Sequence, residues 1–280
     1  MQTSQLRAES TETCIRIYRG NEAVPILEQH AQSDKRPYIH PILAPDGNGI
    51  LTEDVPSHHP WQHGLYIGLN DVNGVGFWTE GLLNDPNDGS FRPLPLQPAV
   101  VDGCRVSWEV ETLYLDPAGK PLLMELQQWR LEDQGGRYSI DFDWSLKAAV
   151  DLTFGQYAYG GLFLRMPYRR ELGGQVLNSE GQINEEGEGQ RARWSACCMP
   201  IEGRADQAGF AFMDHPGNAE HPVPWRVDYE LGISPSRCIT GPWQLAKDEV
   251  ETSRYRIIVF CGSTDPDELN AGWQAFAAAN

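Results

Sequence analysis

Residues 137–147 read RYSIDFDWSLK. Tyr138, Ile140, Phe142, Trp144 and Leu146 take every second position, and Ser139, Asp141, Asp143, Ser145 and Lys147 fill the gaps. In an extended chain successive side chains point to opposite faces, so this period of two describes a strand with one face in a core and one in water. CRVSWEVE (104–111) repeats the pattern, with Cys104, Val106, Trp108 and Val110 opposed to Arg105, Ser107, Glu109 and Glu111. PLLMELQQWRLE (121–132), GGLFLRMP (160–167), AGFAFMD (208–214) and SRYRIIVF (253–260) read as further strands between clusters of Gly, Pro, Asn and Asp. Only DPDELNAGWQAFAAAN (265–280) has helical spacing, with Asp265 or Asp267 as N-cap and Leu269, Trp273 and Phe276 or Ala277 on one face. Strands recurring with turn signals and almost no helix predict an all-β fold, a large antiparallel β-sandwich closed by a short C-terminal helix. With no repeat and no low-complexity linker, residues 1–280 are expected to form a single domain. NSEGQINEEGEGQ (178–190) is polar enough to be expected as a mobile surface loop inside the β region.

Bulk composition narrows the function. A chain of 280 residues that is 40% hydrophobic can bury a sizeable core. Its 22 basic against 39 acidic residues give a net charge of −17, which repels nucleic-acid phosphates and anionic lipid surfaces alike. The N-terminus lacks the basic and apolar regions of an export signal, and nowhere do 18 apolar residues run together, so a cytoplasmic location without a membrane partner is expected. Cys14, Cys104, Cys197, Cys198, Cys238 and Cys261 are too scattered for a disulfide framework and show no CxxC spacing; of the adjacent pair, one thiol is expected in the core and one outside. No GxSxG, P-loop or GxGxxG motif supports serine hydrolase, nucleotide triphosphatase or dinucleotide chemistry.

The chemistry gathers in loops. Of seven histidines, three lie in HHPWQHG (58–64), one in RPYIHP (36–41) and two in DHPGNAEHPVPW (214–225), leaving His30 apart. Gly, Pro, Asn and aromatics around them are the composition of ordered loops at a sheet rim, where a rigid scaffold presents functional groups. Two readings of these imidazoles stay open. His59 and His63, four apart in an extended chain, would share a face and with His215 could bind a divalent metal. Alternatively His59, His63 and His215, partnered by Asp71, Glu80 or Asp214 in the same motifs, would move protons, with no cofactor needed. Arg36, His40, Asn73, Gln156, Asn218 and His221 are the polar groups expected to hold a ligand, and Trp61, Trp78, Tyr159 and Trp225 the flat faces on which a sugar ring would stack. Each has an ordinary structural alternative: Asp71 and Asn73 lie around an Asn-Gly turn, Asp214 and Asn218 in DHPGN, and Arg36 could simply close a surface ion pair.

RPYIHPILAPDG (36–47), HHPWQHGLYIGLNDVNGVGFW (58–78), YGGLFLRMP (159–167) and FMDHPGNAEHPVPWRV (212–227), in that order, resemble the PmoA-like family of bacterial proteins. The resemblance implies a lean toward carbohydrates, since family members are encoded among sugar-catabolism genes. A weaker similarity, His63-Gly64 followed by an aromatic run ending at Trp78, is to galactose-mutarotase-like enzymes. That similarity implies a supersandwich, His63 and His215 as acids, and a late carboxylate as base, for which Glu230 and Glu249 both qualify. The expected function is therefore a carbohydrate-active enzyme (epimerase, lyase or hydrolase) working by His/carboxylate acid-base catalysis on a small-molecule sugar or sugar acid. A metal-dependent enzyme and a non-catalytic sugar-binding module are the alternatives.

Overall fold

The computed structural model describes residues 5–279. Two large antiparallel sheets face each other. The first has eight strands in the order Leu6–Ser10, Cys14–Arg19, Leu27–His30, Tyr38–Ile42, Leu65–Gly68, Gly161–Leu164, Ile233–Pro235 and Trp225–Val227. The second has nine, running Gln175–Asn178, Trp194–Pro200, Gln207–Asp214, Val250–Cys261, Arg137–Ala148, Pro121–Asp133, Arg105–Leu115 and Ser90–Pro93, with Val100–Asp102 also paired to Arg105–Leu115. A four-stranded sheet of Trp243–Leu245, Leu152–Phe154, Asp71–Val72 and Val75–Gly76 lies beside them. The fold is nearly all β, as the period-two runs predict. No helix among the described residues is long and apolar enough to cross a membrane.

RYSIDFDWSLK sits in the middle of the nine-stranded sheet, paired on both sides. Its apolar face joins one hydrophobic cluster drawn from both large sheets, which holds Ile140 and Phe142 of the one and Ile17, Ile39 and Leu65 of the other. Trp129 stacks on Phe142 at 3.8 Å between ring centroids. Three inward tryptophans keep their indole N–H groups satisfied by side-chain oxygens: Trp108 donates to Gln29, Trp129 to Gln127 and Trp144 to Glu125.

The helix α1 (Pro266–Ala277) starts where its cap residues say it should. Asp265 accepts from the Asp267 and Glu268 amides, and Pro266 opens the first turn. Leu269 and Phe276 cover Trp194, Ala196, Ala211 and Met213 on the outer face of the nine-stranded sheet.

Two expectations are corrected. Cys197 and Cys198 do point to opposite faces, but both are buried, because Cys198 is covered by the Gly262 carbonyl and Gln207. Residues 178–190 are folded back rather than left as an open loop. Asn178 bonds Gln182, a 3-10 turn spans Asn184–Gly187, and Glu188 accepts from the Val227 amide and Arg226.

Candidate functional site

The outer face of an antiparallel sheet is ordinarily polar. On the eight-stranded sheet it is aromatic. Ile39, Leu65, Ile67, Leu162 and Leu164 point into the shared core, so alternation turns Tyr38, Tyr66 and Phe163 outward, where they cluster with Trp78, Trp61 and Tyr159. The chain from Thr52 to Gly64, which contains HHPWQHG, roofs this cluster.

That roof is a series of turns rather than a strand. The His59 amide donates to the Pro56 carbonyl and the Gln62 amide to the His59 carbonyl, so His59 and His63 do not share a face as the extended reading required. His63 turns inward and is 1% exposed. It stacks on Tyr38 at 4.3 Å, with Nδ1 at 2.5 Å from Asp54 Oδ1 and Nε2 at 3.1 Å from Glu80 Oε2. Burial opposes its charge, yet the two carboxylates raise the imidazolium above the ordinary histidine range. Glu80, despite its own burial, is held down to about 2 by His63 and the neighbouring Arg36. With both nitrogens engaged, His63 has no lone pair for a metal and no free position for a substrate proton. It acts as a buried cation that ties the roof to Glu80.

Arg36 is corrected from a surface or ligand-facing group to an interior one. It is 1% exposed, its Nε donates to Glu80 at 2.9 Å, its Nη2 donates to both the Phe77 and Trp78 carbonyls, and its Nη1 faces the Ile67 carbonyl. The Arg36 guanidinium lies 4.9 Å from the Tyr66 ring centroid.

A second polar group lies at the other end of the roof. Arg165, 2% exposed in its side chain, donates to Glu53 and Glu230 and comes within 3.9 Å of Asp228. His58 Nε2 is 2.8 Å from Glu230 Oε2 and 3.1 Å from Arg165 Nη2. Glu230, though partly buried, is kept below the usual carboxylate range by His58 and Arg165, while burial beside His58 and Arg165 lowers His59. His59 is therefore neutral at physiological pH and able to accept a proton. On the far side of the roof, His40, Thr52, Glu53, Asp54 and Arg169 border a groove of about 850 Å³. Glu53 and Asp54 thus connect the buried networks to an open surface.

Unpartnered polar atoms mark this region. Five of the eight buried side-chain N and O atoms without a hydrogen bond, counted over the described residues, lie here: His59 Nδ1, Trp61 Nε1, Gln62 Oε1, Tyr66 OH and Arg165 Nη1. Buried polar groups are nearly always satisfied, so this concentration sets the region apart from the rest of the described residues.

The other expected site residues go elsewhere. His215 lies on the opposite side of the molecule, stacked edge-on against Phe276 of α1 at 5.0 Å, so it cannot join His59 and His63 in a metal or catalytic set. Asp214 is fully buried and accepts from Asn218, His221 and the Val223 amide, making these three residues a loop clamp beneath Trp273. Asp71 accepts from the Gly74 amide and Asn73 bonds the backbone of Asp151 and Thr153, which is turn chemistry. Gln156 donates to the Ile239 carbonyl, and Trp225 is a core residue whose indole donates to Ala192. His40 stays at the groove, with Nδ1 at 2.9 Å from Thr52 Oγ1. Trp61, Trp78 and Tyr159 stay with the aromatic cluster, and Trp78 is covered within it.

Sequence reading passed over Arg165, Tyr66, Glu53 and Asp228. Arg165 had a signal: it interrupts GGLFLRMP two residues after Phe163, on the face that strand alternation assigns outward. His58, His59 and Glu230 offer ligand atoms within 4.8 Å of one another. Arg165 Nη2 already brings positive charge against His58 and Glu230, so the trio is better suited to proton handling than to holding a cation.

A family model described as a family of unknown function, DUF6807, matches residues 18–274; its description makes no mention of PmoA. No curated protein matches the chain. Among solved structures, the chain is similar to the galactose mutarotase related enzyme from Lactobacillus acidophilus, at 8% identity and a TM-score of 0.38 over 92% of this chain and 98% of that one. It is also similar to the alpha-galactosidase from Lactobacillus brevis, at 9% identity and a TM-score of 0.41 over 92% of this chain and 39% of that one. For a GH36 alpha-galactosidase from Geobacillus stearothermophilus the values are 9% and 0.37, over 91% of this chain and 40% of that one.

Proposed function

The chain belongs to the DUF6807 family, and from the site it builds we propose that it is a carbohydrate-active enzyme whose substrate lies under the His58–Gly64 roof. One observation carries this: His59 Nδ1, Trp61 Nε1, Gln62 Oε1, Tyr66 OH and Arg165 Nη1 are unpartnered beside an aromatic surface. A sugar presents the complement, an apolar C–H face for the rings and hydroxyls that both donate and accept. Trp61 and Tyr159 are the stacking faces. His59 and the His58/Glu230 pair exchange protons with the substrate, and Arg165, neutralised by Glu53, Asp228 and Glu230, orients hydroxyls. His63, Glu80 and Arg36 are positioning residues that hold the roof in place. A cytoplasmic location belongs to the same proposal, which the six free thiols fit.

The test is a panel of free sugars and sugar acids followed by NMR in deuterated water, reading anomeric exchange, solvent deuterium at carbon and new products. Turnover should fall about a hundredfold or more in Glu230→Gln and His59→Ala, the usual scale for losing a proton-transfer group. His215→Ala should leave it unchanged. A His215→Ala loss as large as that of His59→Ala would overturn the proposed site, and saturable binding of a sugar without any conversion would replace the enzyme with a binding module.

A further inference from the structure

His30, the one histidine outside the loop motifs, stands in a different cluster. Cys14 and His30 are directly opposed partners on neighbouring strands of the eight-stranded sheet, and Glu28 lies two residues before His30 on the same strand. A period of two places Glu28 and His30 on one face. Gln29 between them points the other way, accepting from Trp108 in the core. The result is a thiol, a carboxylate and an imidazole at one spot, their ligand atoms within 4.8 Å of one another.

We propose that Cys14, Glu28 and His30 bind one divalent transition-metal ion of the zinc class. Cys14 Sγ lies 3.8 Å from Glu28 Oε2, and a His30 ring nitrogen lies within 4.8 Å of both. Ligands at zinc bond lengths in a tetrahedron are separated by roughly 3.3 to 3.8 Å, so the cluster closes on an ion with small side-chain movements. His30 is also prepared in the manner of a metal-bound histidine: Nε2 donates to the His40 carbonyl at 2.8 Å, which fixes the tautomer with the lone pair on Nδ1, and the ring is held by stacking on Tyr38 at 4.9 Å. Arg16 is the competitor, donating to Glu28 at 3.0 Å, but its side chain is 42% exposed and can turn to solvent at the loss of a weak surface pair. Binding converts the Cys14 thiol to thiolate with release of one proton, and three protein ligands leave a fourth position for water.

The ion would sit at the outer end of a ring stack. Tyr38, on which His30 lies, stacks in turn on His63, so the metal would stiffen the strand and ring beneath the sugar site without touching it.

The test uses the tag-free full-length chain, stripped with chelator and titrated with Co²⁺ as the probe, then with Zn²⁺. The expected result is one equivalent bound with a sulfur-to-cobalt charge-transfer band, displaced by Zn²⁺. Cys14→Ser should abolish the band, and Glu28→Gln or His30→Gln should weaken binding at least about tenfold. His59→Ala and Glu230→Gln should leave it intact, which separates this ion from any held by the roof. Absence of the band in the unaltered chain, or its survival in a Cys14→Ser variant whose circular dichroism is unchanged, would show that there is no such site. Should Cys14→Ser fail to fold, unchanged affinity in both Glu28→Gln and His30→Gln would equally rule the site out.

Discussion

His63 and Glu80 make the strongest statement at the scale of single residues. Glu80 receives both His63 and Arg36, and all three are buried. Removing the negative member strands two interior cations, so Glu80→Gln should cost roughly 3 to 5 kcal/mol, measurable by urea unfolding. A value below about 1 kcal/mol would mean that the network is not formed in solution. The pH dependence has a definite sign. Because the Glu80 carboxyl is depressed to about 2 from an ordinary 4.5, its contribution is complete above 4.5 and disappears as pH falls through about 2. His63, raised, works in the opposite sense: its contribution is present below the ordinary histidine pKa and is lost as pH rises through the raised one. Much of this was out of reach of the sequence. His63 and Glu80 were legible as titratable groups in loop motifs, but nothing in their spacing says that both imidazole nitrogens are occupied, and it is that occupancy which removes His63 from the acid-base roles.

At the scale of elements, the roof and the helix behave differently. Gly68 ends the strand beneath the roof, and a methyl group there would overlap the Trp78 ring and crowd Arg36 Nη1. Gly68→Ala should therefore displace Trp78, destabilise by roughly 1 to 3 kcal/mol and quench sugar binding, read by unfolding and by titration calorimetry. Helix α1 is locally encoded, with Asp265, Pro266 and two acidic residues in its first turn. Asp265→Ala should cost about 1 kcal/mol without altering turnover, since α1 packs on the other side of the molecule from the roof. The long strands and the helix were readable because period two and helix capping are local properties. The roof was not: HHPWQHG looks extended beside its neighbours, and only hydrogen bonds among Pro56, His59 and Gln62 make it a turn.

At the scale of the whole molecule, the interior between the sheets contains a carboxyl that alternation alone would call ordinary. Glu125 is fully buried, and that burial pushes it up to about 7 even though Gln127, Trp144 and Tyr114 donate to it. Folding favours its protonated form. The stability it contributes is present below 4.5 and is lost as pH rises through about 7. Unfolding of the unaltered chain and of Glu125→Gln, compared at about pH 5 and about pH 8, should show the variant gaining relative to its parent at the higher pH. A constant difference would place Glu125 in contact with solvent.

The sequence by itself determined the all-β class, the antiparallel pairing of long alternating strands, the C-terminal helix and the aromatic and histidine content of the loops. These follow from side-chain direction along the backbone, from turn residues and from capping, all of which act within about ten residues. Only the tertiary structure decided which titratable groups meet. His58 and Glu230 are 172 positions apart, and Arg165 and Glu53 are 112. His215, equally histidine and equally beside a proline, is carried to the opposite face because its strand belongs to the other sheet. Proton chemistry depends on distances of a few ångströms and on burial, and both are set by how the sheets and the roof pack against one another rather than by spacing along the chain.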